Sequence, residues 1–283
     1  MAAGGRRMGG LARSLGRRLA GRHLGEPAPA VAGTETVMVH TDLGHLLLAA
    51  HDQMLLPFLQ AGGSWESEEC ARLRALLAPG MTFVDVGAHV GYMTLVAAAA
   101  VGPTGRGWAV EPSPANAALL RANLRNNGVG HVEVIEAAAW DQAGTVSLSQ
   151  SPWNTGDNRA YPVHAMAQVE VAAVALDDVL PTDVLVNVVK VDTQGTDHRA
   201  VRGMAATLAR SRSVLLVEFW PPALVEQGED PAGVLAGYAA MGFDVRILGD
   251  GEDGPAPAPH TVVAAAEAAE VGYVTLLLRP QEN

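Results

Sequence analysis

The chain has 283 residues, 49% of them hydrophobic and only 5% aromatic, a length that fits one large α/β domain with extensions. Its formal net charge of −11, from 19 basic and 30 acidic residues, argues against nucleic-acid binding through a general basic surface. A lone cysteine, Cys70, excludes an internal disulfide or a cysteine metal cluster and fits a reducing cytoplasm. No apolar run approaches about 18 residues, so no membrane-spanning segment is predicted.

The first 25 residues contain six arginines and no acidic residue before Glu26. An Arg-rich, acid-free start is typical of a transit peptide, but also of a mobile basic arm that lies on the acidic body of its own chain. We favour the arm, followed by a Pro/Ala linker at Glu26–Gly33. Residues 1–33 are therefore predicted to lie outside the folded domain.

Residues 34–80 are predicted to form a substrate-side lid. Thr36–His40 and His45–Ala50 have the pattern of short strands, and Ser67–Leu77 has the pattern of a helix. Residues 81–283 are then predicted to form the main domain.

That domain begins with Phe83–Tyr92, a buried strand that runs into a glycine turn. Gly87 and Gly91 permit a ligand to approach the backbone, and ligands of open α/β sheets bind outside the carboxyl ends of the strands. The spacing D-x-G-x-x-x-G lacks the middle glycine of the dinucleotide fingerprint. These ten residues alone indicate a pocket and leave its ligand open.

Gly107–Glu111 is predicted to be the second strand. Glu111 lies at its carboxyl end, 24 positions after Gly87. A carboxylate at that distance from a glycine turn is placed to accept hydrogen bonds from both hydroxyls of a ribose. Ser113 is predicted to cap a helix that runs through Ala115–Asn126. A third strand at His131–Glu136 completes half of a doubly wound sheet.

The second half is predicted to contain an inserted antiparallel hairpin at about residues 144–175. Its loop includes Trp153–Tyr161, which we expect over the mouth of the pocket or simply in solvent. The remaining predicted elements are strands at Val184–Asp192, Ser213–Glu218, Phe243–Leu248 and Tyr273–Leu278, helices at Asp197–Arg210 and Pro231–Met241, and a loop at Gly249–Pro259.

Four motifs in order, DVGAHVGY, EPSPAN, VKVDTQG and EFWP, make the chain resemble the FkbM-type S-adenosylmethionine-dependent methyltransferases. The resemblance extends from about Val37 to Leu278. His89 stands where that family more often has Asn, and Thr196 where it often has an aromatic residue.

The resemblance implies a Rossmann-like class I methyltransferase fold, a mostly parallel sheet with an antiparallel last strand. It implies S-adenosylmethionine as cofactor and a polyketide, glycoside or similar secondary metabolite as acceptor, as in antibiotic biosynthesis. The cofactor-binding candidates are Asp85, Gly87, Ala88, His89, Gly91, Tyr92, Glu111, Pro112, Ser113, Glu136, Ala137 and Asp192.

The catalytic candidates are Asp192 and Glu218, at the ends of adjacent strands, and then His198. The two carboxylates could hold a divalent cation such as Mg²⁺, which would lower the acceptor's pKa, or act as base and positioning group without metal. His198 is either a general base or, more commonly at a helix start, a solvated histidine. Asp197 is predicted to cap the same helix.

Lys190 is the only lysine and lies two positions before Asp192, so both side chains point to one face of the strand. A buried lysine needs a partner, and a salt bridge to Asp192 or Glu218 is expected. It either orients the catalytic carboxylate or closes a charge network below the pocket.

Substrate contacts are expected from aromatic and polar groups around the mouth. The candidates are Trp65, Glu66, Trp153, Asn154, Arg159 and Trp220.

The preferred function is O-methylation of a hydroxyl on a small molecule in the cytoplasm. An N-methyltransferase with the same site is an alternative. An NAD-dependent oxidoreductase is disfavoured by the missing glycine and the lack of a Tyr-x-x-x-Lys pair, and a non-catalytic binding module would need the carboxylates turned away from the pocket. The sequence leaves open whether the chain forms a homo-oligomer.

Overall fold

The computed structural model describes residues 35–250 and 255–281. The predicted arm and linker at residues 1–33 and part of the loop at Gly249–Pro259 fall outside the described residues. The strands are β1 Thr36–Thr41, β2 Gly44–Ala49, β3 Thr82–Val86, β4 Arg106–Val110, β5 Val132–Ile135, β6 Ala138–Ala139, β7 Gly144–Gln150, β8 Ala167–Val174, β9 Val188–Val191, β10 Val214–Phe219, β11 Phe243–Ile247 and β12 Val274–Pro280. The described helices are α1 Leu55–Gln60, α2 Ser67–Leu76, α3 Tyr92–Val101, α4 Pro114–Asn126, α5 Leu176–Val179, α6 Asp197–Arg202, α7 Ala205–Ser211, α8 Pro221–Glu226, α9 Pro231–Ala240 and α10 Pro259–Ala268.

Seven strands form the central sheet in the order β11-β12-β10-β9-β3-β4-β5. The neighbours from β10 to β5 are parallel, and β12 is antiparallel to both β10 and β11. From β3, the next strands β4 and β5 extend the sheet to one side, and β9 and the later strands extend it to the other. The strand order therefore reverses between β3 and β9, the position at which open α/β sheets bind ligands. The predicted Rossmann-like class I methyltransferase fold, with its antiparallel last strand, is confirmed.

Both faces of this sheet are covered, which is why most residues of its central strands are apolar. Phe83, Val188 and Leu216 point to one face, where they pack against α2, α3 and α4. Val84 and Val189 point to the other, where they pack against the helices from α5 to α10. The period-two alternation therefore also places polar residues of neighbouring strands on a common face.

The first two strands form an antiparallel hairpin that is fastened to α4. Asn123 accepts from the N–H of Leu47 at 2.6 Å and donates to its carbonyl at 3.0 Å. Asn127 makes the same pair of bonds to His45, at 2.9 and 2.7 Å. Two asparagine amides thus replace a strand partner for the edge of β2.

The inserted hairpin is confirmed, since β7 and β8 pair antiparallel from Gly144↔Ala173 to Gln150↔Ala167. With the short β6 they form a separate three-stranded sheet.

Two predicted elements differ in extent. The helix expected at Asp197–Arg210 is broken into α6 and α7, since the backbone leaves helical geometry at Met204 with a φ of −128°. Gly203 packs against the chain at this break, where a Cβ would lie 1.8 Å from the carbonyl oxygen of Trp140. The strand expected at Val184–Asp192 has ladder pairing only at Val188–Val191. The helices α1, α5, α8 and α10 were not predicted, because each is too short or too uniformly apolar to show a clear period.

Candidate active site

The glycine turn after β3 lies against the end of β9. Gly87 has a φ of 78°, and a Cβ at that position would lie 1.7 Å from the carbonyl oxygen of Asp192. Only glycine fits both constraints. The absence of a side chain therefore lets the turn pack directly against the end of β9, and Gly87 also borders a cleft at the carboxyl ends of the strands.

Glu111 follows β4 and faces the same space. Its carboxylate accepts from the N–H of His89 at 2.8 Å, from the N–H of Ser113 at 2.9 Å and from the amide of Asn116 at 3.4 Å. Burial raises the pKa of Glu111 to about 7. A carboxylate has about four acceptor sites, so these three bonds leave room for a ligand hydroxyl.

His89 connects this turn to two distant segments. Its Nε2 lies 2.7 Å from the hydroxyl of Thr155, which donates at 2.6 Å to Asp52. Because the threonine proton goes to Asp52, its oxygen accepts from His89, and the ring proton is on Nε2. Burial lowers the pKa of His89 to about 4, so the ring is neutral. Asp52 also accepts from the N–H groups at the start of α1, which fixes both segments to the turn.

These groups border a first cleft of about 480 Å³, here called the cofactor cleft. Small and apolar side chains form one wall, namely Val110, Ala138, Ala139 and Leu148. Gly87, Glu111, Thr155, Gly156 and Asp192 form much of the rest. An apolar lining beside a hydroxyl acceptor and a glycine turn suits a nucleoside-bearing ligand.

Asp192 also borders a second cleft of about 420 Å³, here called the acidic cleft. Lys190 donates to Asp192 Oδ2 at 2.9 Å, and Gln194 donates to Oδ1 at 2.7 Å. The predicted salt bridge between Lys190 and Asp192 is confirmed. Glu66, Glu69 and Glu218 complete the ionisable lining together with Tyr273. Asp192 therefore borders both clefts.

Burial and neighbouring acids raise the pKa values of two carboxyl groups in this cleft. Burial raises the pKa of Glu66 to about 7, with help from Asp192 and Glu69. Burial and then Asp192 raise the pKa of Glu218 well above its usual range. Burial alone would lower the pKa of Lys190, but Asp192, Glu66 and Asp85 outweigh it and raise that pKa. The lysine is therefore a fixed cation beside Glu66 and Glu218, two carboxyl groups whose pKa values are raised.

Several predicted cofactor residues support the turn without bordering the cleft. Asp85 is buried beneath it, accepts from Thr94 at 2.5 Å, and has its pKa raised by burial. Ser113 caps α4 as predicted, through Asn116 N–H. Glu136 forms a surface ion pair with Arg121. Ala88, Gly91, Tyr92 and Ala137 are buried or structural, whereas Gly87, His89, Glu111, Pro112 and Asp192 line the cleft.

The structure does not bring His198 to the strand-end carboxylates Asp192 and Glu218. Its side chain is 1% exposed, so the expectation of a solvated helix-start histidine is wrong, and Nε2 lies 3.3 Å from Glu229. Burial, and then Arg202, lower its pKa to about 4. Asp197 does not cap α6 either, because its carboxylate accepts from the N–H groups of Thr193 and Gly195 and so fixes the turn before the helix.

Of the predicted substrate residues, only Glu66 is among those that line either cleft in the described part of the chain. Glu66 borders the acidic cleft and accepts from Trp65 Nε1 at 2.9 Å. The guanidinium of Arg159 stacks 4.6 Å from the ring centroid of Trp220. Trp153 is 57% exposed. Asn154 accepts from the N–H of Gly156 at 3.1 Å and so shapes the loop.

Sequence reasoning missed several lining residues. Asn116 and Gln194 lie inside motifs already noticed, EPSPAN and VKVDTQG, and their amides were the available signal. Glu69, Tyr273 and Asp52 offered none, because only the fold brings α2, the start of β12 and the start of α1 to the site.

Metal centres and membrane spans are both absent from the described residues. Within residues 35–250 and 255–281, no group of three or more His, Cys, Asp or Glu side chains is arranged to hold a metal ion. No helix in the described part of the chain has the length and apolar character needed to cross a membrane.

Comparison with known proteins places these features in a family. The family model "Methyltransferase FkbM domain" matches residues 85–245, more than half of the chain. The ribosomal RNA large subunit methyltransferase E of Nitrosomonas eutropha is 33% identical over 114 residues, which cover 38% of this chain and 54% of that protein. The chain thus spans about half the length of that relative. Its Nitrosomonas europaea counterpart is 32% identical over 152 residues, covering 51% of this chain and 70% of that protein.

Two solved structures are among those similar to this chain. The FkbM methyltransferase of Methylobacillus flagellatus KT has 14% identity and a TM-score of 0.46, covering 74% of this chain and 50% of that one. M. jannaschii TYW2 in complex with AdoMet has 14% identity and a TM-score of 0.47, covering 88% and 86%. On the family match, this chain belongs to the FkbM methyltransferase family.

Proposed function

We propose that the protein is an S-adenosylmethionine-dependent methyltransferase that methylates a hydroxyl of a small molecule. The supporting observation is that Asp192 borders both clefts, so one carboxylate faces a cofactor on one side and an acceptor on the other.

The residues present fit the cofactor. Gly87 borders the cofactor cleft and has no side chain, which suits the close approach of the amino-acid part of the cofactor to the backbone. Glu111 retains acceptor capacity for the ribose hydroxyls. Ala138, Ala139 and Leu148 offer an apolar wall for the adenine. When bound, S-adenosylmethionine supplies an electrophilic methyl group on sulfur.

Asp192 is the proposed general base. Its carboxylate would take the hydroxyl proton of the acceptor, which would leave the acceptor oxygen free to attack the methyl group that the cofactor would supply. Lys190 and Gln194 each bond one carboxylate oxygen, so they fix its orientation. Lys190 is thus a positioning residue.

An N-methyltransferase would use the same site on a neutral amine. An RNA substrate, which the names of the two curated relatives suggest, gains little support, because the acidic cleft repels phosphates and the whole chain has a net charge of −11. An NAD-dependent oxidoreductase would bind NADH in preference to S-adenosylhomocysteine.

The first experiment is calorimetry with S-adenosylhomocysteine and NADH. Only the former should bind; binding of NADH alone would refute the proposal. Incubating the enzyme with deuterated S-adenosylmethionine and a panel of hydroxyl compounds, with products read by mass spectrometry, then identifies the acceptor. Full activity after dialysis against EDTA is expected, whereas loss restored by Mg²⁺ would favour the cation alternative.

Asp192→Asn should keep S-adenosylhomocysteine affinity within about threefold and lose at least about a hundredfold in turnover, since general bases contribute that much. Asp178→Asn, an exposed change on α5, is the matched control and should be fully active. An active Asp192→Asn enzyme would remove this residue from the mechanism.

A further inference from the structure

The acidic cleft has more negative than positive groups. It contains four carboxyl groups, those of Glu66, Glu69, Asp192 and Glu218, and one cation, Lys190. Lys190 is already paired with Asp192 at 2.9 Å, and Glu69 accepts from Thr275 at 2.8 Å. Glu66 and Glu218 are left without a cationic partner in the structure described.

Glu218 is the more exceptional of the two. It is 9% exposed, and its Oε1 has no hydrogen-bond partner. Its Oε2 receives only a 3.5 Å contact from Gln194. Leaving a buried carboxyl oxygen unpaired is costly, and in a cleft the missing donor can come from a ligand.

Glu66 faces the same cleft from another element. It lies just before α2 in the left-handed conformation, with a φ of 44°, which a non-glycine residue adopts at a cost. Its Oε1 accepts from Trp65, and Oε2 is the oxygen that remains for a ligand. Leu73, Met93 and Leu216 add an apolar surface to the same cleft.

We propose that the acceptor is an organic cation whose protonated amino group binds between Glu66 and Glu218 while its hydroxyl faces Asp192. An ammonium group has three N–H donors and no acceptor, which matches two carboxylates that lack donors. The apolar surface accommodates its carbon skeleton, which a bare inorganic cation does not have. This inference rests on the proposed function, since it names the class of acceptor for the same site.

Binding of such a cation should release protons. Burial raises the pKa values of Glu66 and Glu218, and the neighbouring acids Glu69 and Asp192 raise that of Glu66 further. A bound ammonium favours the ionised forms of Glu66 and Glu218, as the positive charge of Lys190 already does. Tyr273 stays neutral, because burial raises its pKa. Calorimetry near pH 7 in buffers of different ionisation enthalpy measures those protons.

The test compares cyclohexylammonium with its neutral counterpart cyclohexanol on full-length protein saturated with S-adenosylhomocysteine. The ammonium should bind about tenfold more tightly or better, with proton release. Glu218→Gln and, separately, Glu66→Gln should each reduce that preference by about tenfold. Glu267→Gln, an exposed change of equal charge on α10, should leave it unchanged.

Equal affinity for cyclohexylammonium and cyclohexanol, or no binding of the ammonium, would overturn the inference. An unchanged preference for the ammonium in both Glu218→Gln and Glu66→Gln would overturn it as well. Glu66→Gln keeps the test valid if Glu218→Gln fails to fold, which circular dichroism would reveal. Failure of S-adenosylhomocysteine to bind at the outset would instead count against the proposed function, so the two failures are distinguishable.

Discussion

Gly87 is fixed by two independent constraints, a left-handed backbone and the close approach of Asp192's carbonyl oxygen. Gly87→Ala should therefore lose about 2 kcal/mol or more of stability and abolish S-adenosylhomocysteine binding, because the new Cβ forces the turn away from β9. Urea unfolding and calorimetry measure the two effects.

Gly62→Ala is the matched control for that change. Gly62 has a φ of 80° but nothing within 4 Å of an added Cβ, so it shares the backbone strain without the collision. It should cost about 1 kcal/mol and leave cofactor binding intact. Equal losses in both variants would mean that the contact with Asp192 is unimportant.

Individual residues differ in how far the sequence predicted them. Glu111 and Asp192 were found because they end strands in a recognisable order. The chain of contacts from His89 through Thr155 to Asp52 was not, because its members are 66 and 103 positions apart. His198 was placed near the chemistry from its position alone, whereas its side chain turns to Glu229.

At the scale of elements, the break between α6 and α7 offers a clear prediction. Gly203→Ala should destabilise the protein by about 1–3 kcal/mol, because its Cβ would meet the carbonyl oxygen of Trp140 at 1.8 Å. Urea unfolding of the variant measures the loss.

Gly237→Ala, inside α9 with nothing within 4 Å of the added Cβ, should instead stabilise the protein by about 0.5–1 kcal/mol. Comparing Gly203→Ala with Gly237→Ala separates the effect of helix propensity on the unfolding free energy from the effect of a tertiary contact. A stabilised Gly203→Ala variant would show that the two segments prefer to form one helix.

The central strands were predictable and the short helices were not. β3 and β9 are covered on both faces, so most of their residues are apolar, and Asp85 and Lys190 are the charged exceptions. The helix α8 has only the proline signals at Pro221 and Pro222, and its six residues are fewer than two turns. Elements of that length form through tertiary packing.

At the scale of the whole molecule, stability should depend on pH in a defined direction. Burial raises the pKa of Glu111 from 4.5 to about 7, so the folded state holds a proton that the unfolded chain has lost. Stability therefore falls as pH rises through that window. Glu66 acts in the same direction, and Glu218 extends the effect to higher pH.

The buried histidines oppose this trend only at lower pH. The pKa values of His89 and His198 are lowered from 6.5 to about 4, so their contribution rises with pH and is complete above 6.5. The unfolding free energy should then decline between pH 6.5 and about pH 8, by about 1 kcal/mol per unit for each carboxyl group still titrating.

Urea unfolding at constant ionic strength measures this decline. Glu111→Gln should make it shallower, whereas Glu267→Gln on the surface should not change it. A stability that rises over the same range would contradict the assignment of buried, protonated carboxyl groups.

The sequence by itself determined the class of fold, the glycine turn, the acid that follows the second strand of the domain and the carboxylates at two adjacent strand ends. Those features depend on local patterns, namely apolar strands, turn glycines and residues at strand ends. Only the tertiary structure decided that Asp192 borders both clefts and that Glu66 and Glu218 border the same one. It also decided that the His198 side chain lies against Glu229. Such facts depend on which faces of distant elements pack together, and burial in that packing sets which carboxyl groups lack a partner.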